Sequence, residues 1–201
     1  GEFKNDKLNG QGKMYRENGQ LQYEGKFKDN MLNGQGKTYH DNGQLAREGK
    51  FENGSFIQGK TYHKNGQLAR EGKFENDKLN GQGRWHYENG QLKSEGEFKN
   101  NMLNGQGKVY YENDQLKYEG KFENNTFIQG KAYYENGQLK SEINNDQIKH
   151  YYEDGQLTCE CEFKNNKLNG QGIIYDKKGE ILKKGIFVDD KFTGFGASEN
   201  N

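Results

Sequence analysis

The chain has 201 residues, with 30 basic and 30 acidic side chains, 29 glycines, no proline and a mean hydropathy of −1.35. Zero net charge argues against a nucleic-acid partner, because such binders carry a concentrated positive surface. No apolar run approaches the roughly 20 residues that cross a bilayer. Aromatic residues are nevertheless plentiful and regularly spaced, so the sequence predicts an ordered fold with a thin core rather than disorder.

Variants of the phrase "YENGQLKSEGEF", which begins at Tyr87, recur along the chain. A fixed period of about 20–50 residues is typical of a solenoid or other repeat array, and we interpret residues 1–201 as one such array. Its units are 1–24, 25–48, 49–71, 72–95, 96–119, 120–142, 143–160, 161–184 and the partial unit 185–201.

Three features of this array stand out. The first three units and the next three each span 71 residues, which indicates that a block of three was duplicated. Unit 143–160 is irregular, because it lacks the glycine-rich loop and the phenylalanine of the others. The chain begins in the middle of a repeat at Gly1, which indicates that the native N-terminus lies upstream.

Each unit carries two turn signals. The first is an Asn-Gly pair such as Asn18 and Gly19, which predicts a two-residue type I′ turn because both residues tolerate positive φ. The second is the longer loop "NDKLNGQG" at 5–12. Helix signals are missing and β-forming residues are frequent, so the sequence predicts a string of β-hairpins.

A strand register follows from the Asn-Gly turn. Pairing outward from Asn18 and Gly19 places Tyr15 opposite Gln22 and Lys13 opposite Glu24. The same register places a basic residue opposite an acidic residue in seven of the eight full units. Cross-strand pairs of this kind each stabilise a sheet by about 0.2–1 kcal/mol, so the sequence supports this register over one shifted by a residue.

The register divides the side chains between two faces of the predicted sheet. Face A is expected to carry a pair of opposed glycines that leave room for neighbouring rings, together with two rows of apolar side chains. These are Leu21, Leu45, Leu68, Leu92, Leu116, Leu139 and Leu157, and Phe27, Phe51, Phe74, Phe98, Phe122 and Phe163. Face B is expected to carry the Lys–Glu pairs and an aromatic row formed by Tyr15, Tyr39, Tyr62, His86, Tyr110, Tyr133, Tyr151 and Tyr175.

The phrases G-x-F, N-G-x-G and N-G-Q-L, repeated together, resemble MORN repeats, specifically the bacterial MORN-variant type. The resemblance covers nearly the whole chain and departs from the pattern at 143–160. It implies an all-β fold, an elongated single-layer antiparallel sheet of stacked β-hairpin repeats that forms a MORN-like solenoid array with an open groove. It also implies a role in protein–protein contact or membrane-proximal scaffolding.

Neither a catalytic centre nor a cofactor is predicted. His40 and His63 occupy equivalent slots about 10 Å apart in a flat sheet, too far to share one zinc ion with ligand distances of about 2.0–2.3 Å. His150, Cys159 and Cys161 share face A in the irregular unit, where a Cys₂His metal site is the alternative to three structural side chains. The structural interpretation is preferred, because no fourth ligand is evident.

The aromatic row of face B is the predicted partner-binding surface, because tyrosine is enriched at protein interfaces. The alternative for these rings is simple packing between lysine stems. We therefore predict a non-enzymatic repeat scaffold that binds a protein of unknown identity through face B. Two further functions stay open, an antitoxin or immunity-like binder of a toxin protein and a carbohydrate-binding array of the cell surface.

Charge and strand edges add two expectations about partners. Lys–Glu pairs nearly cancel the basic surface that a membrane would attract, so membrane contact is disfavoured. Unpaired strands at both ends of the array predict end-to-end self-association. The compartment, whether the bacterial cell surface, secreted or cytoplasmic, is left open.

Overall fold

The computed structural model describes residues 1–194, which form 18 β-strands and no helix of the length and apolarity that a membrane span requires. The strands make an antiparallel sheet of consecutive hairpins, which confirms the predicted all-β class. Residues 195–201, the end of the predicted partial unit, lie outside the described residues. The strands are β1 (Glu2–Lys4), β2 (Lys7–Tyr15), β3 (Leu21–Lys28), β4 (Met31–Tyr39), β5 (Leu45–Glu52), β6 (Ser55–Tyr62), β7 (Leu68–Glu75), β8 (Lys78–His86), β9 (Leu92–Lys99), β10 (Met102–Tyr110), β11 (Leu116–Glu123), β12 (Thr126–Tyr133), β13 (Leu139–Asn144), β14 (Gln147–Tyr151), β15 (Leu157–Lys164), β16 (Lys167–Tyr175), β17 (Ile181–Val188) and β18 (Lys191–Gly194).

The chain divides into two compact bodies. Body 1 comprises residues 1–107 together with 123–125, and body 2 comprises 108–122 together with the residues from 126 onward. Within body 1, strands β2 to β9 pair in chain order, and within body 2, strands β12 to β18 do the same. The grouping of all repeats into a single array stays a prediction.

The central part of each hairpin has the predicted register. Lys13 lies opposite Glu24, and Gly12 lies opposite Gly25. Equivalent pairs along the chain are Lys37–Glu48, Lys60–Glu71, Arg84–Glu95, Lys131–Glu142 and Lys149–Glu160. The charge pattern of the sequence therefore identified the pairing of these strands correctly.

The Asn-Gly turn differs from the prediction. The Gly19 N–H donates to the Arg16 carbonyl at 2.9 Å and the Arg16 N–H donates to the Gln20 carbonyl at 2.8 Å, so the loop has three residues rather than two. Gly19 has a positive φ of 82°, whereas Asn18 does not. This is a type I turn followed by a left-handed glycine, and the predicted type I′ turn at this position is wrong.

The three-residue loop moves the leucines to face B. Met14 lies opposite Tyr23 as predicted, but Tyr15 lies opposite Leu21 instead of Gln22, so Gln22 is the extra residue of a β-bulge. Because directly opposed side chains share a face, each leucine joins the aromatic row, and its predicted place on face A is wrong. The same pairing recurs at Tyr39–Leu45, Tyr62–Leu68, His86–Leu92, Tyr133–Leu139 and Tyr151–Leu157.

The loop predicted at 5–12 is a two-residue turn followed by strand β2. Asn5 and Asp6 have positive φ values of 51° and 56°, and Lys4 lies opposite Lys7. Two consecutive left-handed residues define a type I′ turn, which Asn and Asp tolerate because their short polar side chains bond locally. The type I′ turn is therefore present in the repeat, but at the opposite end of the hairpin from the predicted place.

Consecutive type I′ turns are joined by hydrogen bonds. The Leu8 N–H donates to Asn30 Oδ1 at 2.7 Å, and the Asn30 N–H donates back to the Leu8 carbonyl at 3.1 Å. Reciprocal pairs of the same kind join Leu79 with Asn101, Leu103 with Asn125 and Leu168 with Asp190. Each repeat thus satisfies main-chain groups of its neighbour as well as its own.

The core of each body lies on face A next to the glycine pairs. The phenylalanines predicted to be buried there are at most 5% exposed at five positions, Phe27, Phe51, Phe74, Phe98 and Phe122. Leucines, rather than the predicted rings, cover the glycines. Leu32 Cδ2 lies 2.8 Å from the position that a Cβ on Gly36 would take, and Leu79 has the same relation to Gly83. The missing glycine side chains therefore provide the space that these leucines fill.

Strand pairing continues through the irregular repeat. Strands β13, β14 and β15 are antiparallel neighbours, with Ile143 opposite Ile148 and Ile148 opposite Cys161. Ile148, Cys159 and Cys161 form a buried cluster that replaces the missing phenylalanine and glycines. A different set of apolar side chains thus fills the core where the repeat phrase breaks down.

Candidate functional site

The aromatic row lies on face B as predicted, beside the glutamates of the Lys–Glu pairs. Tyr15 is 59% exposed, and the remaining members of the row are half-buried. Three of the hydroxyl groups bond to the glutamate of the preceding hairpin. Donation is seen from Tyr39 to Glu24 at 3.0 Å, from Tyr62 to Glu48 at 3.4 Å and from Tyr133 to Glu119 at 2.6 Å.

These hydrogen bonds change the acidity of the tyrosines. Burial, followed by the hydrogen bond to Glu119, raises the pKa of Tyr133 to about 12. Burial and Glu24 likewise raise the pKa of Tyr39. The same glutamates accept from lysine ammonium groups, as between Lys13 Nζ and Glu24 Oε1 at 3.2 Å. The hydroxyls of Tyr39 and Tyr133 therefore stay protonated at neutral pH, and their hydrogen bonds hold these two rings in one orientation.

His86 occupies the tyrosine slot of the fourth repeat. Burial lowers the pKa of its imidazole, and its Nδ1 is buried without a hydrogen-bond partner. A neutral imidazole is therefore the expected form at pH 7. The imidazole lies opposite Leu92, in the position that the tyrosines of the row hold opposite their leucines.

A second row, directly after the first in sequence, lies on face A and reaches the next repeat. The Arg16 guanidinium donates to the Tyr39 carbonyl at 2.8 Å, and His40 Nε2 lies 3.0 Å from the Tyr62 carbonyl oxygen. In body 2 the donors are tyrosine hydroxyls, Tyr111 to Tyr133, Tyr134 to Tyr151 and Tyr152 to Tyr175. His40 and the four other members of this carbonyl-binding row thus connect repeats.

The three side chains considered for a metal site lie close together, but in an apolar setting. His150 lies opposite Cys159, as predicted, and both cysteines are buried free thiols. A hydrogen bond to Cys161 and burial raise the pKa of the Cys159 thiol, and burial lowers the pKa of His150. Among the described residues no group of three or more His, Cys, Asp or Glu side chains could hold a metal ion.

Body 1 contains a groove on face A with a volume of about 820 Å³. Three of the four arginines of the chain line it, namely Arg16, Arg47 and Arg70, and none of the described residues that line it is acidic. Apolar walls come from rings that include Tyr23, Phe51 and Trp85. We call this site the arginine groove.

Two of these arginines are held against aromatic rings. The Arg47 guanidinium lies 5.6 Å from the centre of the Phe56 ring, and Arg47 Nη1 pairs with the carboxylate of Asp77 at 2.6 Å. The Arg70 guanidinium lies 5.4 Å from the centre of the Trp85 ring and donates to Asn101 at 3.0 Å. Stacked guanidinium groups lose little freedom on forming hydrogen bonds, so both cations are preorganised.

Burial and a neighbouring charge change the pKa of Arg70. Burial, and then the neighbouring positive charge of Arg47, lower the pKa of the Arg70 guanidinium. The two residues lie on the same face because Thr61 is opposite Arg47 on one side and opposite Arg70 on the other. The groove therefore concentrates like charge on one stretch of sheet.

The floor between the arginines consists of small side chains. Ala46 and Ala69 are bulge residues, equivalent to Gln22, and turn toward the groove. Thr61 is only 5% exposed, and its Oγ1 has no hydrogen-bond partner. The site thus combines cationic walls with an unsatisfied hydroxyl at its base.

The groove was not predicted from the sequence, although two repeats share phrases that indicate it. The phrases T-Y-H and L-A-R-E occur in the second and third repeats, at 38–40 with 45–48 and at 61–63 with 68–71. They occur nowhere else in the chain. The second and third repeats thus differ from the others in the same way, and the residues concerned line one groove.

These features define the class of the protein: it is a β-hairpin repeat protein whose surface sites are built by several adjacent repeats. The chain belongs to the MORN repeat family. The family model described as MORN repeat variant matches residues 32–53, 58–76, 79–100, 129–144 and 147–165, and the model described as MORN repeat matches 1–21, 95–115 and 162–181. No curated protein matches the chain. MORN repeats are a non-enzymatic family and generally serve as scaffolds for interactions with proteins or membranes.

Proposed function

We propose that this protein is a non-enzymatic scaffold that binds a partner protein through the aromatic row of face B. The observation that carries the proposal is the fixed orientation of the half-buried rings, produced by hydrogen bonds such as Tyr39 to Glu24 and Tyr133 to Glu119. A binding surface ordered in advance loses less entropy on association.

The chemistry of the row suits contact with another protein. Tyrosine offers a large, rigid and amphipathic area, and such residues carry much of the binding energy at interfaces. Half-exposed charged pairs flank the rings, for example Lys37 with Glu48, whose side chains are 44% and 43% exposed. Alternating charges of this kind supply a polar rim that favours one register of the partner.

Partner capture from a lysate of the source organism tests the proposal. The test variant replaces three neighbouring members of the row by alanine, namely Tyr110, Tyr133 and Tyr151. The matched control replaces the following tyrosine in each case, whose side chain lies on face A, namely Tyr111, Tyr134 and Tyr152. Circular dichroism confirms that both variants are folded.

The proposal predicts that wild type and control retain the same protein and that the test variant does not. Retention by a folded test variant would remove the aromatic row as the binding surface. Loss by both variants would assign the effect to the stability of body 2 rather than to face B.

A further inference from the structure

We infer that the arginine groove binds an acidic polypeptide segment, whose carboxylates pair with Arg47 and Arg70. This site lies on face A. Tyr39 and Tyr62 of the aromatic row also border it, but their hydroxyls bond to Glu24 and Glu48 on face B. A scaffold with binding surfaces on both faces can hold two partners at once.

Charge complementarity selects the ligand. Arg16, Arg47 and Arg70 line the groove without an acidic lining residue, in a protein whose net charge is zero. Guanidinium groups form paired hydrogen bonds with carboxylates, and the planar fork makes this geometry specific. Alternating Lys and Glu side chains cover face B, so the positive charge is local to the groove and does not describe the whole surface.

Unsatisfied donors support the same ligand. Thr61 Oγ1, Arg16 Nε and His63 Nε2 are buried atoms without hydrogen-bond partners, and all three residues line the groove. Thr61 is only 5% exposed and lies between Arg47 and Arg70 on the floor of the groove. Buried polar groups without partners are costly, and an acceptor-rich ligand such as a carboxylate would satisfy them.

Body 2 shows what happens when the groove residues are absent. At positions 71 residues further along the chain, Ala46 becomes Lys117 and Arg47 becomes Tyr118. Lys117 Nζ lies 4.9 Å from the centre of the Tyr111 ring, and the Tyr118 ring stacks on Phe127 at 4.9 Å. In body 2 a lysine and a second aromatic ring, both packed on neighbouring rings, therefore stand where body 1 has Ala46 and Arg47.

Strand spacing sets the separation of the ligand's charges. Arg47 and Arg70 are two strands apart, with Thr61 between them. At about 4.8 Å per strand their backbones are about 10 Å apart. A ligand segment in the polyproline II conformation rises about 3.1 Å per residue and has three residues per turn, so carboxylates three residues apart lie on the same side of it about 9 Å apart and match this distance. Aromatic walls around the arginines favour an apolar side chain between the two acids.

Asp77 already competes for Arg47. Its carboxylate, which is 65% exposed, accepts from Arg47 Nη1 at the rim of the groove. An entering carboxylate replaces this exposed contact or shares the guanidinium with it. Removing the Asp77 charge is therefore expected to strengthen ligand binding.

Fluorescence anisotropy with a defined probe tests the inference. The probe is a fluorescein-labelled hexapeptide with glutamates at its second and fifth positions and phenylalanine between them, and the control peptide carries glutamine at both positions. We expect Arg47→Gln and Arg70→Gln each to weaken probe binding by about tenfold or more, the loss of one charged hydrogen-bonded pair. Arg84→Gln is the matched control, because Arg84 lies on face B with Glu95 and should leave binding unchanged.

Two further variants separate a shaped site from simple charge attraction. Asp77→Asn should tighten probe binding. Ala46→Lys adds a positive charge but places a lysine where Lys117 fills body 2, so it should weaken binding if the groove must be open. Tighter binding by Ala46→Lys would show non-specific attraction and overturn the inference. Far-ultraviolet circular dichroism reports whether each variant is folded, because Trp85 lines the groove and contacts Arg70.

The remaining outcomes are equally decisive. Equal binding of the glutamate and glutamine peptides, or an equal loss in Arg84→Gln, would exclude paired recognition by Arg47 and Arg70. Binding to phosphatidylserine vesicles that depends on the same two arginines, without peptide binding, would assign the groove to a membrane surface instead. Neither result would bear on the aromatic row, which a separate capture experiment tests.

Discussion

Replacement of Asn101 by alanine is expected to destabilise body 1 markedly, although the residue lies in a turn. Asn101 Oδ1 accepts the Leu79 N–H at 2.7 Å, and the Asn101 N–H donates to the Leu79 carbonyl at 3.0 Å. Asn101 also has a positive φ of 68°. Alanine keeps the main-chain bond, loses the side-chain acceptor and tolerates the left-handed conformation poorly.

The structure gives the size of the effect. Leu79 is fully buried, with 0% exposure, so water cannot replace the lost acceptor. An unsatisfied buried N–H costs about 1–3 kcal/mol, and a left-handed alanine adds about 1–2 kcal/mol, which together predict a loss of about 2–5 kcal/mol. Asn101→Asp should lose far less, because Asp190 plays the same part for Leu168 at 2.7 Å.

Urea denaturation followed by the fluorescence of Trp85 measures the effect. Trp85 lies on β8, the same strand as Leu79, so it reports on the affected repeat. Because repeat proteins can unfold in stages, midpoints and slopes should be compared together. An Asn101→Ala variant within about 1 kcal/mol of wild type, or no more destabilised than Asn101→Asp, would refute the reasoning about a buried orphan donor.

Two other outcomes follow from glycine geometry and from a buried imidazole. Gly49→Ala should lower the urea midpoint more than Gly43→Ala, since a Cβ on Gly49 would approach the Gly59 Cα at 2.7 Å, whereas one on Gly43 meets nothing within 4 Å. Equal shifts of the midpoint in the two variants would show that the positive φ, rather than crowding by the added Cβ, sets the cost of the substitution. Burial lowers the pKa of His150, so the unfolded chain binds a proton near pH 6.5 that the folded chain resists. The melting temperature should therefore fall as pH drops from 7 to 5, and it should fall less in the His150→Gln variant. The same change of melting temperature with pH in the variant as in wild type would contradict this prediction.

Much of the fold could be predicted because its determinants are local. The opposed charges of Lys13 and Glu24 in repeat after repeat identified the strand register, and the buried phenylalanines followed from the alternation of faces. The turn could not be assigned in the same way. Asn-Gly suits a type I′ turn, but it equally suits a type I turn with a left-handed glycine, and here the Asn18 side chain supports the latter by accepting the Gln20 N–H at 3.1 Å.

The error in the turn is also the reason that the arginine groove was missed. The register correctly placed Arg47 opposite Thr38 and Arg70 opposite Thr61. With a two-residue turn, however, Ala46 would belong to face B. The bulge turns this alanine toward face A, where its small size leaves the groove open. A single extra loop residue thus decides whether neighbouring arginines face a filled or an open site.

The hydrogen bonds from side-chain donors to main-chain carbonyls of the next repeat have a direction, which matters for how such a chain grows. Side-chain donors of one repeat reach carbonyls of the following repeat, as with Arg16 to Tyr39 and Asn42 to Lys64. A duplicated repeat therefore brings a donor for its successor and an acceptor for its predecessor. Such a unit can be inserted at any internal joint without leaving an unmatched group. The two 71-residue blocks are the expected product of that freedom: the chain can lengthen by copying, and individual copies can then diverge, one to open a groove and another to close it.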